Sequence, residues 1–224
     1  MAKTLSAGGR RAEASAPDPT RGKLIEAAGR VFAERGYHAA TVREICSRAR
    51  ANVAAVNYHF KDKLGLYTEV LLQSVRAAQF ERVLSAAGRN APPEEILRGV
   101  IRERLQGLCG EHPRDWHIRI VAHELADPTP AMSRVIDEAM RPLHNRMREI
   151  VGRMLGLPPD AEKTRLCVLS VMGQVILYAL AQPVLVQLWP GLKTTRAQMD
   201  RIAEHIAEFS LAYLREAGRA RRRK

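Results

Sequence analysis

From Thr41 to Tyr67 the chain reads TVREICSRARANVAAVNYHFKDKLGLY, a pattern that admits little besides two short helices joined by a tight turn. Thr41-Val42-Arg43-Glu44 has the form of a capping box, in which the threonine accepts the third amide and the glutamate reaches back. Val42, Ile45, Cys46 and Ala49 recur at i, i+3, i+4 and i+7, so one apolar stripe lies opposite Arg43, Ser47 and Arg48. Asn52 is placed to cap the second helix. In that helix Val53, Val56 and Phe60 share one side, which leaves Ala54, Ala55, Asn57, Tyr58 and His59 on flanks that need no burial. A small, polar helix face of this kind fits the major groove of DNA. Alanine lets the backbone approach or meets a thymine methyl, and an asparagine amide pairs bidentately with adenine. Tyrosine hydroxyl, imidazole and ammonium groups suit phosphates.

At these residues the chain resembles the TetR family of bacterial transcriptional regulators, whose helix-turn-helix ends in a tyrosine, a further residue, His-Phe and a lysine-led helix. The matching run here is NYHFKDKLGLY. Thr20 to Tyr37, TRGKLIEAAGRVFAERGY, is similar to the family's first helix, which ends at a glycine. The resemblance implies an all-helical protein with a helix-turn-helix head over residues 20–66. Within it, Thr41, Tyr58, His59 and Lys63 are expected on phosphates with Arg43 beside them, and Asn52, Ala54, Ala55 and Asn57 on base edges. Two positions depart from the family pattern. Arg50 stands where the turn usually holds glycine and must adopt a left-handed conformation or reshape the turn. Asn57 replaces a common tyrosine, which favours a base contact over a phosphate contact there.

The net charge of +12 over 224 residues fits a polyanionic partner, although a membrane surface or RNA would satisfy charge alone. Its distribution is more informative. Residues 1–63 carry roughly +6 and residues 215–224 roughly +5, which leaves about +1 between them. Residues 1–19 lack a signal-peptide apolar run and read as a flexible basic arm, with Arg10 and Arg11 available to a phosphate or a minor groove. Cys46, Cys109 and Cys167 are far apart and set in apolar patterns, as expected of reduced core residues in a cytoplasmic protein.

Residues 67–215 read as a helical body for effector binding and dimerisation, followed by a basic tail over 216–224. A connecting helix runs through Leu66, Val70, Leu71, Val75 and Phe80 to about Gly88, and further helices span Pro93 to Gly110, Trp116 to Leu125 and Pro130 to Leu155. Leu166 to Leu192 contains no charge and is long enough to cross a bilayer. Gln174, Gln182, Gln187, Pro183 and the absence of a one-sided basic flank favour a helix buried in a core and a subunit interface. A last helix over Thr195 to Arg215 partners it through Met199, Ile202, Ile206 and Phe209. In the TetR family the last two large helices form a four-helix dimer interface, so the resemblance places Val175, Ile176, Ile206 and Phe209 there. Two-fold symmetry would present two recognition helices to a near-palindromic operator.

WHIRIVA followed by HELADPTPAM resembles the C-terminal domain of a TetR subgroup named for the CerR or CecR regulators, associated with efflux and sensitivity to toxic compounds. Trp116, His117, His123 and Glu124, with Met172 and Tyr178, are candidate lining of an effector cavity. The competing reading packs Trp116 in the core and sets His123 and Glu124 at helix ends before Pro128. His117 and His123 are six residues apart, on different helix faces, so no metal site is expected. No phosphate loop, nucleophile elbow or HExxH occurs, and neither catalysis nor a cofactor is expected. The sequence therefore describes a cytoplasmic, dimeric regulator released from its operator by a small molecule. The rivals are a membrane-associated helical protein and a DNA-binding protein without sequence preference.

Overall fold

The structure, a computed structural model, describes residues 18–76, 83, 91–109 and 115–223, and every element among them is helical. Arg10, Arg11, Phe80 and the end of the connecting helix near Gly88 lie outside the described residues. The head comprises α1 (Pro19–Ala39), α2 (Val42–Ala49), α3 (Val53–Phe60) and α4 (Lys63–Arg76). Each begins on a side-chain oxygen that satisfies an amide with no partner inside the helix. Asp18 accepts from the Thr20 amide at 2.8 Å, Thr41 from Glu44 at 3.2 Å, Asn52 from Ala54 at 3.0 Å and Asp62 from Gly65 at 2.7 Å. The returning arm of the capping box does not form. The Glu44 carboxylate turns to Arg35 and Arg48, at 3.1 and 2.9 Å, because ionised guanidinium donors bind it more strongly than a neutral amide.

The body comprises α5 (Pro93–Cys109), α6 (Asp115–Ala126), α7 (Ala131–Val135), a π turn (Ile136–Met140), α8 (Arg141–Leu155), α9 (Glu162–Leu180), α10 (Gln182–Leu188) and α11 (Arg196–Arg222). The helix expected from Pro130 to Leu155 is continuous but widens at 136–140. Pro142 has no amide for the Glu138 carbonyl, and the Arg141 amide bonds back to Ile136. The uncharged run is not one rod: α9 stops at Leu180 and Pro183 sits in the first turn of α10. By length and composition α9 is the one helix among the described residues that could span a bilayer. α11 passes the expected boundary at Arg215, so most of the expected tail is helix.

Two apolar cores form. The first joins Leu24, Phe32, Val56, Leu66, Tyr67 and Leu71 of the head with Trp116, Ile120, Ala131 and Val135 of α6 and α7. The second gathers Leu97, Ile101 and Leu105 of α5 with Met147, Val151, Val168, Val171, Ile206 and Leu211. A boundary at residue 66 thus divides the chain but not its packing. Cys46, Cys109 and Cys167 are free and buried, and burial pushes the Cys109 thiol up to about 12.

Four of the expected effector residues lie on α6, and three of them are committed to the junction with the head. Trp116 is buried so closely on α1 that a Cβ at Gly29 would stand 2.5 Å from its ring, and its indole N–H donates to Glu26 at 3.3 Å. The His123 Nε2 lies 3.2 Å from the Ala33 carbonyl. Glu124, 1% exposed, accepts from the Tyr67 hydroxyl at 2.8 Å and from the amide and hydroxyl of Thr129 at 2.9 and 3.1 Å. Burial, reinforced by Glu124, pushes the Tyr67 phenol far up, so it remains a donor. Trp116 and Glu124 are thus held inside the molecule by apolar packing and by a satisfied carboxylate, whereas His123 is exposed and lines a small cavity of about 250 Å³ with Tyr37, His38, Tyr67 and Asp127. His117 is half-buried beside α1, while Met172 and Tyr178 are half-buried against the second core.

Two of the four residues expected at the dimer interface lie inside the protomer. Val175 and Ile206 are each 1% exposed inside the second core, and Ile176 is half-buried. Phe209 alone of the four points outward, and it does so with Tyr213 on α11 and with Leu166, Leu169, Leu177 and Leu180 on α9.

Candidate nucleic-acid interface

α2 and α3 are fixed at their turn by local bonding. Arg50 takes the left-handed conformation, φ 52 and ψ 45, at a cost of roughly 1–2 kcal/mol relative to a relaxed residue. In return the Arg50 amide reaches the Ser47 carbonyl at 3.3 Å and the Ala51 amide reaches Cys46 at 2.9 Å, closing the end of α2. Ile45, Cys46, Ala49, Val56 and Phe60 are buried behind the pair. At the far end of α3, Lys61 has φ 71 and ψ −52, and α4 abuts the chain so closely that a Cβ on Gly65 would stand 2.0 Å from the Phe60 carbonyl oxygen. The angle of α3 is therefore set from both ends and from behind.

Of the nine residues expected on DNA, Thr41, Arg43, Asn52, Ala54, Asn57 and Tyr58 are exposed, Tyr58 to 84%, and Ala55 is half-buried. Two others are turned elsewhere. The His59 side chain is 11% exposed, with Nε2 3.3 Å from Asp18 at the start of α1. The Lys63 ammonium donates to the His38 carbonyl at 3.2 Å and sits 4.6 Å from the Tyr37 ring centre, where burial lowers its pKa. Both side chains thereby tie the ends of α3 and α4 to the two ends of α1.

The sequence missed Val53. Expected in the core, it is 44% exposed beside Ala54, in the first turn after the cap, where it adds an apolar contact suited to a thymine methyl. Asn52 is constrained in the opposite sense. Its Oδ1 accepts the Ala54 amide, which fixes the side chain as a cap and leaves one lone pair and the amide N–H groups for any further contact. Asn57 and Arg43 make no hydrogen bond or ion pair through their side chains among the described residues.

Beside this face, between α1, the α2–α3 turn and α4, lies an open groove of about 1590 Å³ rich in arginine. Three of its arginines face carboxylates, Arg21 with Glu69 at 2.7 Å, Arg30 with Glu26 at 3.3 Å and Arg48 with Glu34 at 2.8 Å, while Lys23 and Arg50 make no ion pair among the described residues. Uncommitted polar groups therefore lie on this rim as well as on the outward faces of α2 and α3.

Residues 24–70 match the family described as "Bacterial regulatory proteins, tetR family". Residues 93–214, more than half of the chain, match "HTH-type transcriptional dual regulator CecR, C-terminal domain". The chain belongs to the TetR family. Among curated relatives of this TetR-family regulator, the HTH-type transcriptional dual regulator CecR of Shigella flexneri is 27% identical over 171 residues, covering 71% of this chain and 75% of its own. The HTH-type transcriptional repressor BepR of Brucella suis biovar 1 is 30% identical over 155 residues, covering 69% and 71%. In fold, it is similar to the transcriptional regulator FadR from Bacillus subtilis, solved in complex with stearoyl-CoA. That comparison has a TM-score of 0.65 at 20% identity and covers 85% of this chain and 97% of FadR. The family consists of transcription regulators rather than enzymes.

Proposed function

We propose that the protein is a repressor that binds a near-palindromic operator as a homodimer and is released from it by a small molecule. The observation that carries this reading is the outward face of α2 and α3, on which Arg43 and Asn57 are held on a rigid support with no partner of their own. On this reading Thr41, Arg43 and Tyr58 position the helix on phosphates, while Asn57 reads an adenine and Val53, Ala54 and Ala55 meet thymine methyls.

The homodimer rests on the leucine stripe of α9 with Phe209 and Tyr213 of α11. A two-fold contact there pairs the heads, and phosphate contacts doubled by symmetry give a steep salt dependence. Control passes through α6. Because α6 is clamped to α1 and α4, a ligand that favours another position of α6 necessarily changes the spacing of the heads. Met172 and Tyr178, half-buried against the second core, remain as ligand-lining candidates. Control of efflux or of sensitivity to toxic compounds, in the cytoplasm, is the physiological role proposed.

Genome-wide mapping of bound DNA tests the function. The expected result is a small set of sites sharing an inverted repeat, with expression rising when the gene is deleted. Binding spread without a shared motif would instead identify a DNA-binding protein without sequence preference. A compound panel that includes acyl-coenzyme A thioesters, the class FadR holds, then tests release from the mapped sites.

A further inference from the structure

α11 ends at the pole farthest from the reading face, and its direction is fixed by three contacts along α5. Asp200 accepts from Gln106 at 2.6 Å, Glu204 pairs with Arg98, and Arg215 pairs with Glu94. The two helices are therefore antiparallel, and the Gln106 end of α5 is the end that leads to α6 and to Trp116 against α1. From the level of Asp200 to Arg219 the helix rises roughly 28 Å, at about 1.5 Å per residue. The last turns are seated on the body, since a Cβ at Gly218 would stand 2.5 Å from the Met154 carbonyl of α8.

This seated end carries Arg219, Arg221, Arg222 and Arg223, all exposed, and no carboxylate among the described residues lies within ion-pair distance of any of them. Glu216 is the one acid between residues 215 and 224. A helix C-terminus carries about half a negative charge, which a single cation answers. Four unpaired guanidinium groups exceed that need, in contrast to Arg21, Arg30 and Arg48 of the groove beside α1, which face carboxylates.

We propose that the end of α11 is a second DNA-binding surface, which takes the phosphates of a duplex other than the one on α3. Arginine suits this role through its planar fork, which binds phosphate bidentately. A membrane is disfavoured because the apolar side chains in the last two turns are only Ala217 and Ala220, too small to insert into lipid. A duplex seated against α3 lies at the opposite pole and leaves these arginines free. The inference rests on the head binding DNA only in one respect: a protein already held on the chromosome meets further duplex at high effective concentration.

The test uses the full chain and random-sequence duplexes. A head variant, R43A/N57A/Y58A, is expected to keep a weak, salt-sensitive affinity for duplex. Adding R219A/R221A/R222A/R223A is expected to weaken that affinity at least about tenfold and to flatten its log–log salt slope by up to about 3.6, at about 0.9 per phosphate contact. With the head intact, the four-arginine variant is expected to bind an immobilised first duplex as the parent does but to lose capture of a labelled second duplex. Unchanged helicity by circular dichroism shows that the fold is kept. Residual affinity and capture that are the same with and without the four arginines would overturn the proposal. So would tighter co-sedimentation with phosphatidylglycerol vesicles than with duplex through the same arginines. Loss of first-duplex binding in the head variant reports on the head separately.

Discussion

The two cores are built from different materials and finished in different ways. The first holds an aromatic cluster among its aliphatic side chains: Phe32 meets Tyr67 edge-on with ring centres 4.8 Å apart, Tyr37 lies 4.9 Å from Tyr67, and Trp116 closes the far side. Its buried carboxylate, Glu124, is fully occupied by donors, and its outer face is polar. The second core is mainly aliphatic, and behind it α9 and α11 present Leu166, Leu169, Leu177, Phe209 and Tyr213, each more than half exposed. The head is complete within one chain and addresses a polar partner. The body leaves apolar surface that water covers poorly until another copy does.

The largest effect that can break this contrast is at the body. L169E/L177E would remove four leucines from a two-fold interface, each contributing about 1.5–3 kcal/mol when buried, so dimerisation is expected to weaken by more than about 6 kcal/mol. Sedimentation velocity would then show a folded monomer. V175D should behave differently: a charge forced into the 1%-exposed site unfolds the protomer itself. A dimer that survives L169E/L177E moves the interface elsewhere.

Next in size is the junction. W116A removes a ring packed on Gly29 and is expected to cost about 3–5 kcal/mol, read by denaturant unfolding. If α6 belongs to the head's packing, that loss appears in the transition that exposes Phe32 and Tyr67. A loss confined to the body would separate α6 from the first core.

The parts legible in the sequence are those governed by neighbours three or four residues apart. Asp18, Thr41, Asn52 and Asp62 cap their helices through short-range bonds, and Thr41, Asn52 and the left-handed Arg50 could be anticipated from spacing and turn chemistry. The contacts of His59 and Lys63 with α1 could not, since tertiary packing alone brings α1 beside both. α9 failed for another reason: a helix apolar all round carries no periodic mark of which face is inward. Val175 and Leu177 are indistinguishable in sequence, yet one is 1% exposed and the other 53%. Glu124 reads as a helix-end acid until Tyr67, 57 residues earlier, arrives to donate to it.

On the head, substitutions should alter recognition more than folding. N57A removes an exposed amide, so stability should hold while discrimination between the mapped operator and random duplex falls by about 1–3 kcal/mol. Equal loss on both DNAs would make Asn57 a phosphate contact instead. An N52A variant distinguishes a cap from a reader: it should cost about 1 kcal/mol of stability with similar losses on both DNAs.

The smallest effect concerns the turn. R50G relieves the left-handed strain but gives the unfolded chain more freedom, and the two terms, each about 1 kcal/mol, leave a net stability gain of no more than about 1 kcal/mol. Arg50 lies on the rim of the groove beside α1, where its guanidinium makes no ion pair among the described residues. The substitution therefore separates geometry from charge. An R50G protein that is slightly more stable, with operator affinity unchanged, shows that the arginine is merely tolerated in the turn. If R50G is more stable but binds all duplexes more weakly and with a shallower salt slope, the strain at Arg50 is retained because its charge reaches a phosphate that glycine cannot.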